Sequence, residues 1–116
     1  MAAKFQNERY ECPSCRLRVE DPESTKTRWR CSSCGGFVYV YAEDWDGKRQ
    51  VIERVPASCI AERDMLVLDA SPLRRPNEVL AATADGCGTF RIALKGHGAM
   101  ARVPADREFN RIVGTW

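Results

Sequence analysis

YECPSCRLRVEDPESTKTRWRCSSCGG, residues Tyr10 to Gly36, holds four of the chain's six cysteines in two matched pairs. Cys12 and Cys15 are two residues apart, as are Cys31 and Cys34, and fifteen residues lie between the pairs. A two-residue gap lets a tight turn aim both sulfurs at one ion while backbone amides face them. Two such knuckles complete the tetrahedral four-sulfur shell that Zn2+ prefers. Four protein sulfurs leave no open coordination position, so one structural zinc ion is expected. Iron is the lesser alternative, because this ligand set barely discriminates between the two metals. A thioredoxin-type redox pair would need a single C-x-x-C at a helix start within a βαβ pattern, and here both pairs sit among strand-like residues. Two disulfides would need an oxidising compartment.

The residues around the knuckles read as sheet. Pro13 stiffens the first knuckle, and Gly35 and Gly36 follow the second, where a Cβ is expected to crowd the metal. Residues 16–19 (RLRV) and 26–30 (KTRWR) alternate with period two on either side of the polar turn EDPES, 20–24. If these strands pair, Arg16, Arg18, Lys26, Arg28 and Arg30 share one face, and Leu17, Val19 and Trp29 turn to the other. Such a stripe can follow phosphates, or it can simply keep a sheet face wet. Phe37, Tyr39 and Tyr41 fall on one parity of the next run. Aromatics beside cations can stack bases, or they can form the core that a small sheet needs. Asp46-Gly47 signals a hairpin turn, and 48–55 (KRQVIERV) returns as a strand. Over Tyr10 to Tyr41 this set of residues resembles the zinc-ribbon class with rubredoxin-like knuckles.

Beyond Val55, short apolar runs alternate with turn signals, as in a small barrel or sandwich. Strands are expected at 65–69, 78–83, 89–94, 99–103 and 111–113, with turns at 71–77, 85–88, 96–98 and 104–107. A single 3₁₀ turn is expected at 106–109. The run from Val55 to Gly114 resembles the small Src-homology-3-type barrels of bacterial and phage proteins, with Arg63-Asp64 where many of those barrels carry Gly-Asp. Together the two resemblances imply an all-β chain. A zinc ribbon and its following hairpin over 1–50 would pack on a small five-stranded Src-homology-3-like barrel over 51–116.

Composition narrows the function classes. The chain has 116 residues, is 44% hydrophobic and 29% charged, and carries a net charge of +2, which is ordinary for a soluble domain. Each half, split at residue 50, holds nine Lys/Arg against eight Asp/Glu. Bulk charge therefore names no partner. No apolar run approaches the ~20 residues that span a bilayer. The polar N-terminus also lacks a signal peptide's apolar centre. A cytoplasmic protein without a membrane partner is expected.

Cys59, Cys87 and His97 lie outside the ribbon without any recognised ligand spacing, so they read as a core cysteine and two hairpin residues rather than a second metal site. A Cys–His nucleophile would need an orienting group and a pocket, so neither an enzyme nor a small-molecule substrate is expected. Arg74 and Arg75, between two prolines, form a rigid cationic loop suited to phosphate or to an acidic protein surface. The expectation is a non-enzymatic module that binds nucleic acid or acts within a transcription complex. Arg16, Arg18, Lys26, Arg28, Trp29, Arg30, Arg74 and Arg75 would be its contacts. The alternative is a phage- or plasmid-type adaptor or inhibitor that docks on a larger host protein.

Overall fold

A computed structural model describes residues 5, 7–20, 22, 28–45, 47–68, 76–96 and 98–116. Lys26, Arg74, Arg75, His97 and most of the 20–24 and 71–77 turns lie outside them. Among the described residues the chain is all-β. Its strands are β1 (Asn7–Cys12), β2 (Leu17–Arg18), β3 (Tyr39–Glu43), β4 (Arg49–Pro56), β5 (Met65–Val67), β6 (Asn77–Gly86), β7 (Thr89–Leu94), β8 (Gly98–Pro104) and β9 (Glu108–Gly114), with a 3₁₀ turn at Ala57–Cys59 after β4. They form an antiparallel sheet in the order β2-β1-β3-β4-β9-β5-β6-β7-β8. No helix among the described residues is long and apolar enough to cross a membrane.

The sheet is open, which corrects the expected closed barrel. β4 is the reason. One of its edges pairs with β3 and the other with β9, so the five-stranded meander β9-β5-β6-β7-β8 continues into the cysteine-bearing strands instead of closing on itself. Turns partly close the curl: the Ala57 amide donates to the Arg107 carbonyl at 2.8 Å, and the Ser58 amide donates to that of Ala105 at 3.2 Å. Register shifts along β6, β7 and β8 bend those strands. The bent face gathers Val55, Ile60, Leu66, Val79, Ile92 and Phe109 into an apolar core. On the free edge strand β8, Arg102 adopts φ 56, and its amide donates to Asp85 Oδ2 at 3.0 Å.

The opposite face of β4 carries a different core. Tyr10, Val40, Ile52 and Ile112 line up across β1, β3, β4 and β9 by register, and Trp29, Ala42 and Val67 pack with them. Two residues further along β4, Arg54 is 1% exposed. Its Nη1 donates to Glu8 Oε1 at 2.8 Å, its Nη2 to Glu8 Oε2, and its Nε to Asn110 Oδ1 at 2.9 Å. The Tyr10 hydroxyl and the Phe5 amide also donate to Glu8, at 2.7 and 2.8 Å. The guanidinium lies 4.6 Å from the Trp29 ring. Two charges buried this deeply are tolerated only when their hydrogen-bonding positions are filled, as here.

Several local expectations change. Residues 28–30 are not a strand: Arg28 and Trp29 form a turn, and Arg30 makes an isolated bridge to Phe37. Trp29 has φ 63, a strained conformation for a bulky residue, and that turn drops its ring into the core. The expected 16–19 strand shrinks to β2, which pairs with β1 rather than with the described residues 28–30. No 3₁₀ turn is found at 106–109, because Ala105 and Asp106 turn and β9 begins at Glu108. Arg63 has φ 75, and its amide donates to the Val79 carbonyl at 2.8 Å. An arginine thus holds the left-handed position that glycine suits best.

Candidate metal centre

Cys12 ends β1 and is fully buried, Cys31 is buried, Cys15 is half-buried and Cys34 is exposed. The four Sγ atoms lie within 4.8 Å of one another. Cys12 and Cys34 are 3.5 Å apart, and Cys15 and Cys31 are 3.9 Å apart. A tetrahedral ion with metal–sulfur bonds of about 2.3 Å needs sulfurs about 3.8 Å apart. The shell therefore fits one metal ion, and each close contact joins one knuckle to the other.

The two knuckles are built alike. The Arg16 amide donates to the Cys12 carbonyl and the Gly35 amide to the Cys31 carbonyl, both at 2.8 Å. Arg16 and Gly35, each four residues after its first cysteine, both have positive φ, at 56 and 75. Backbone amides also face sulfur: Cys15 N–H reaches Cys12 Sγ and Ser33 N–H reaches Cys31 Sγ, each at 3.4 Å. Glycine is favoured at position 35 by its φ and not by crowding, since an added Cβ there meets nothing within 4 Å. At Gly36 it would meet Cys34 Sγ at 3.5 Å, an ordinary contact. What the described residues show for this pair is a backbone requirement at Gly35.

The amides of Cys34 and Ser33 draw the Cys31 thiol down to about 6. Hydrogen bonds from Cys12, Cys34 and Cys31 push the Cys15 thiol up to about 12. A cation held among the four sulfurs would favour their deprotonation.

The second knuckle is tied to the rest of the sheet by the residues read as a basic stripe. Arg28 makes two hydrogen bonds to Glu108 on β9, each 3.0 Å long. Arg30 donates to the Gly35 carbonyl at 3.1 Å and stacks 4.0 Å from the Phe37 centroid. Trp29 is 3% exposed and has no free face for a base. Arg16 and Arg18 are exposed and form no ion pair among the described residues. The expected five-cation face is therefore not assembled by the residues described. Among the described residues the four-cysteine group is the metal-ligating cluster found, with Cys59 packed against the apolar core and Cys87 exposed in the β6–β7 turn.

Sequence reading missed a second grouping, on the face of β1 and β3 that points away from Trp29. The Arg9 guanidinium lies 4.7 Å from the Tyr41 ring and 5.2 Å from the Trp116 ring, and Arg49 lies 4.8 Å from Trp116. Tyr41 and Trp116 meet edge to face at 5.8 Å, and the indole N–H donates to the Ala42 carbonyl. The shared parity of Tyr39 and Tyr41 was read from the sequence, but Arg9 was not joined to it, and Trp116, 75 positions after Tyr41, gave no signal. No family model matches the chain, and neither a curated protein nor a solved structure does.

Proposed function

We propose that the chain is a non-enzymatic zinc-ribbon module, its front half held in shape by one structural zinc ion, that binds nucleic acid directly or within a transcription complex. The observation that carries this reading is the four-sulfur shell. All four corners are protein sulfur, which leaves a metal there no position for water or substrate. Zinc is favoured over iron because it carries no redox chemistry and sits readily in closed structural sites. Arg16 and Arg18, exposed beside the first knuckle, are the described cations that support phosphate contact. Lys26, Arg74 and Arg75 complete the proposed set. The meander β9-β5-β6-β7-β8 is read as a Src-homology-3-like unit opened by its junction with β4.

A second reading, a protein adaptor, is favoured by Trp45 at the β3–β4 turn, 83% exposed, and by Leu17, 61% exposed. Interfaces are enriched in such aromatic residues.

The test is metal analysis of protein purified under reducing conditions, followed by oligonucleotide binding across a salt series. One zinc per chain is expected, with affinity falling steeply as salt rises, at a slope set by the cations engaged. A folded, metal-free chain sinks the zinc centre. Failure of every DNA and RNA oligonucleotide to bind at low salt sinks the nucleic-acid reading and leaves the adaptor.

A further inference from the structure

We infer that the outward face of β1 and β3, with Trp116 laid across it, is a binding site for single-stranded nucleic acid; this rests on the nucleic-acid reading above and gives it a surface. Antiparallel register puts the components on one side of the sheet. Arg9 pairs with Tyr41 and Tyr41 with Val51, while Arg18 pairs with Glu11 and Glu11 with Tyr39. Directly paired residues point the same way, so Arg18, Arg9, Tyr39 and Tyr41 share a face with the carboxylates of Glu11 and Glu43, and Trp116 packs on Tyr41. At the β9 end this same face turns inward as the apolar core beneath Val55 and Phe109. At the β1–β3 end Trp116 remains 41% exposed.

Three features fit a single strand in particular. Arg9 and Arg49 lie against aromatic rings, so their guanidinium groups are restricted before any ligand arrives, and less freedom is lost when they bond a phosphate. Arg9 and Arg18 have no carboxylate partner among the described residues, whereas Arg49 is paired with Glu43 at 3.0 Å. Arg9 and Arg18 thus offer two cations to a phosphodiester backbone, with the Glu11 carboxylate between Arg18 and Tyr39 on the same face. Gly114, opposite Val51 on this face, would carry a Cβ into open space, with nothing within 4 Å, so no side chain rises from that position. Unpaired bases can stack on an indole or on a guanidinium plane. A duplex hides those base faces.

The test uses the full metal-loaded chain and a fluorescein-labelled 20-nucleotide single strand, as DNA and as RNA, with the matching duplex, read by anisotropy at low salt. Single strand is expected to bind more tightly than duplex. Trp116→Leu and Arg9→Gln should each weaken it roughly tenfold, and Arg9→Gln should also lower the salt slope by about one. Arg91→Gln, on β7, should change neither. In a Trp45→Phe background the strand should quench Trp116 emission, a signal that Arg9→Gln moves to higher concentration. If the single strand binds but Trp116→Leu and Arg9→Gln bind it equally well, this surface is wrong while the nucleic-acid reading stands. If neither strand nor duplex binds the unaltered protein, both are wrong, and the face is left to a protein partner.

Discussion

The two faces of β4 solve the same problem with opposite chemistry. One presses Val55 against Leu66, Ile92 and Phe109, a core that needs only shape and the loss of water. The other buries Arg54 against Glu8, Asn110 and Trp29 beside Ile52 and Val40. The first core tolerates volume-conserving apolar exchange, whereas the second depends on every partner being present. The face nearer the metal centre is the one with the more exacting interior.

The largest expected effect separates the two regions outright. Cys31→Ser opens the sulfur shell, and the metal-linked folding free energy of such sites is on the order of 10 kcal/mol. Bound metal should fall, and amide exchange in β1 and β2 should rise sharply, while β6 and β7 stay protected. Equal loss of protection in both regions would show that the metal holds the whole sheet.

Next comes Arg54→Met, which strands a buried carboxylate and should cost about 3–5 kcal/mol in urea unfolding. Adding Glu8→Leu should recover most of that loss, since an apolar pair of similar volume often replaces a buried ion pair at little cost. An Arg54→Met chain as stable as the parent would mean that the ion pair contributes nothing.

Acid gives a smaller and one-sided effect. Burial pushes the Glu8 carboxyl up, but the hydrogen bond and charge of Arg54, with the Phe5 amide and the Tyr10 hydroxyl, together hold it below its ordinary value. A group lowered in the folded state stabilises fully above its unfolded pKa, and that contribution is lost as the pH falls through the lowered one. Trp29 emission should therefore respond to acid before β7 loses protection, and the Glu8→Leu, Arg54→Met chain should lack this early response. The smallest effect is a gain. Arg63→Gly relieves the left-handed residue at φ 75 and should raise stability by about 1 kcal/mol; a loss would mean that the arginine side chain has a role of its own.

What could be read from the sequence follows the same division. The cysteine spacing and β7, expected at 89–94 and found at Thr89–Leu94, carry their signal in local pattern. β1 does not. Its inward residues include Glu8, so NERYEC reads as a polar N-terminus until Arg54, 46 positions away, is seen to neutralise it. KTRWR misled for a related reason: its alternation is real, but Trp29 reaches the core through a left-handed turn rather than through strand pleating. Arg28 was read as a free cation because Glu108, which pairs with it on β9, is distant in sequence. Period-two patterns report which residues could share a face, and long-range charge pairing decides which of them do.

The free rim at β8 has a consequence for behaviour in concentrated solution. A bare strand edge invites the next molecule to add its own strand and so start a fibre. Here Arg102 leaves the extended conformation and hands its amide to Asp85, while Pro104 has no amide to offer. The row of donors facing outward is thereby broken near its end. An added strand therefore meets an interrupted ladder near the Pro104 end of β8, which works against polymerisation through that rim.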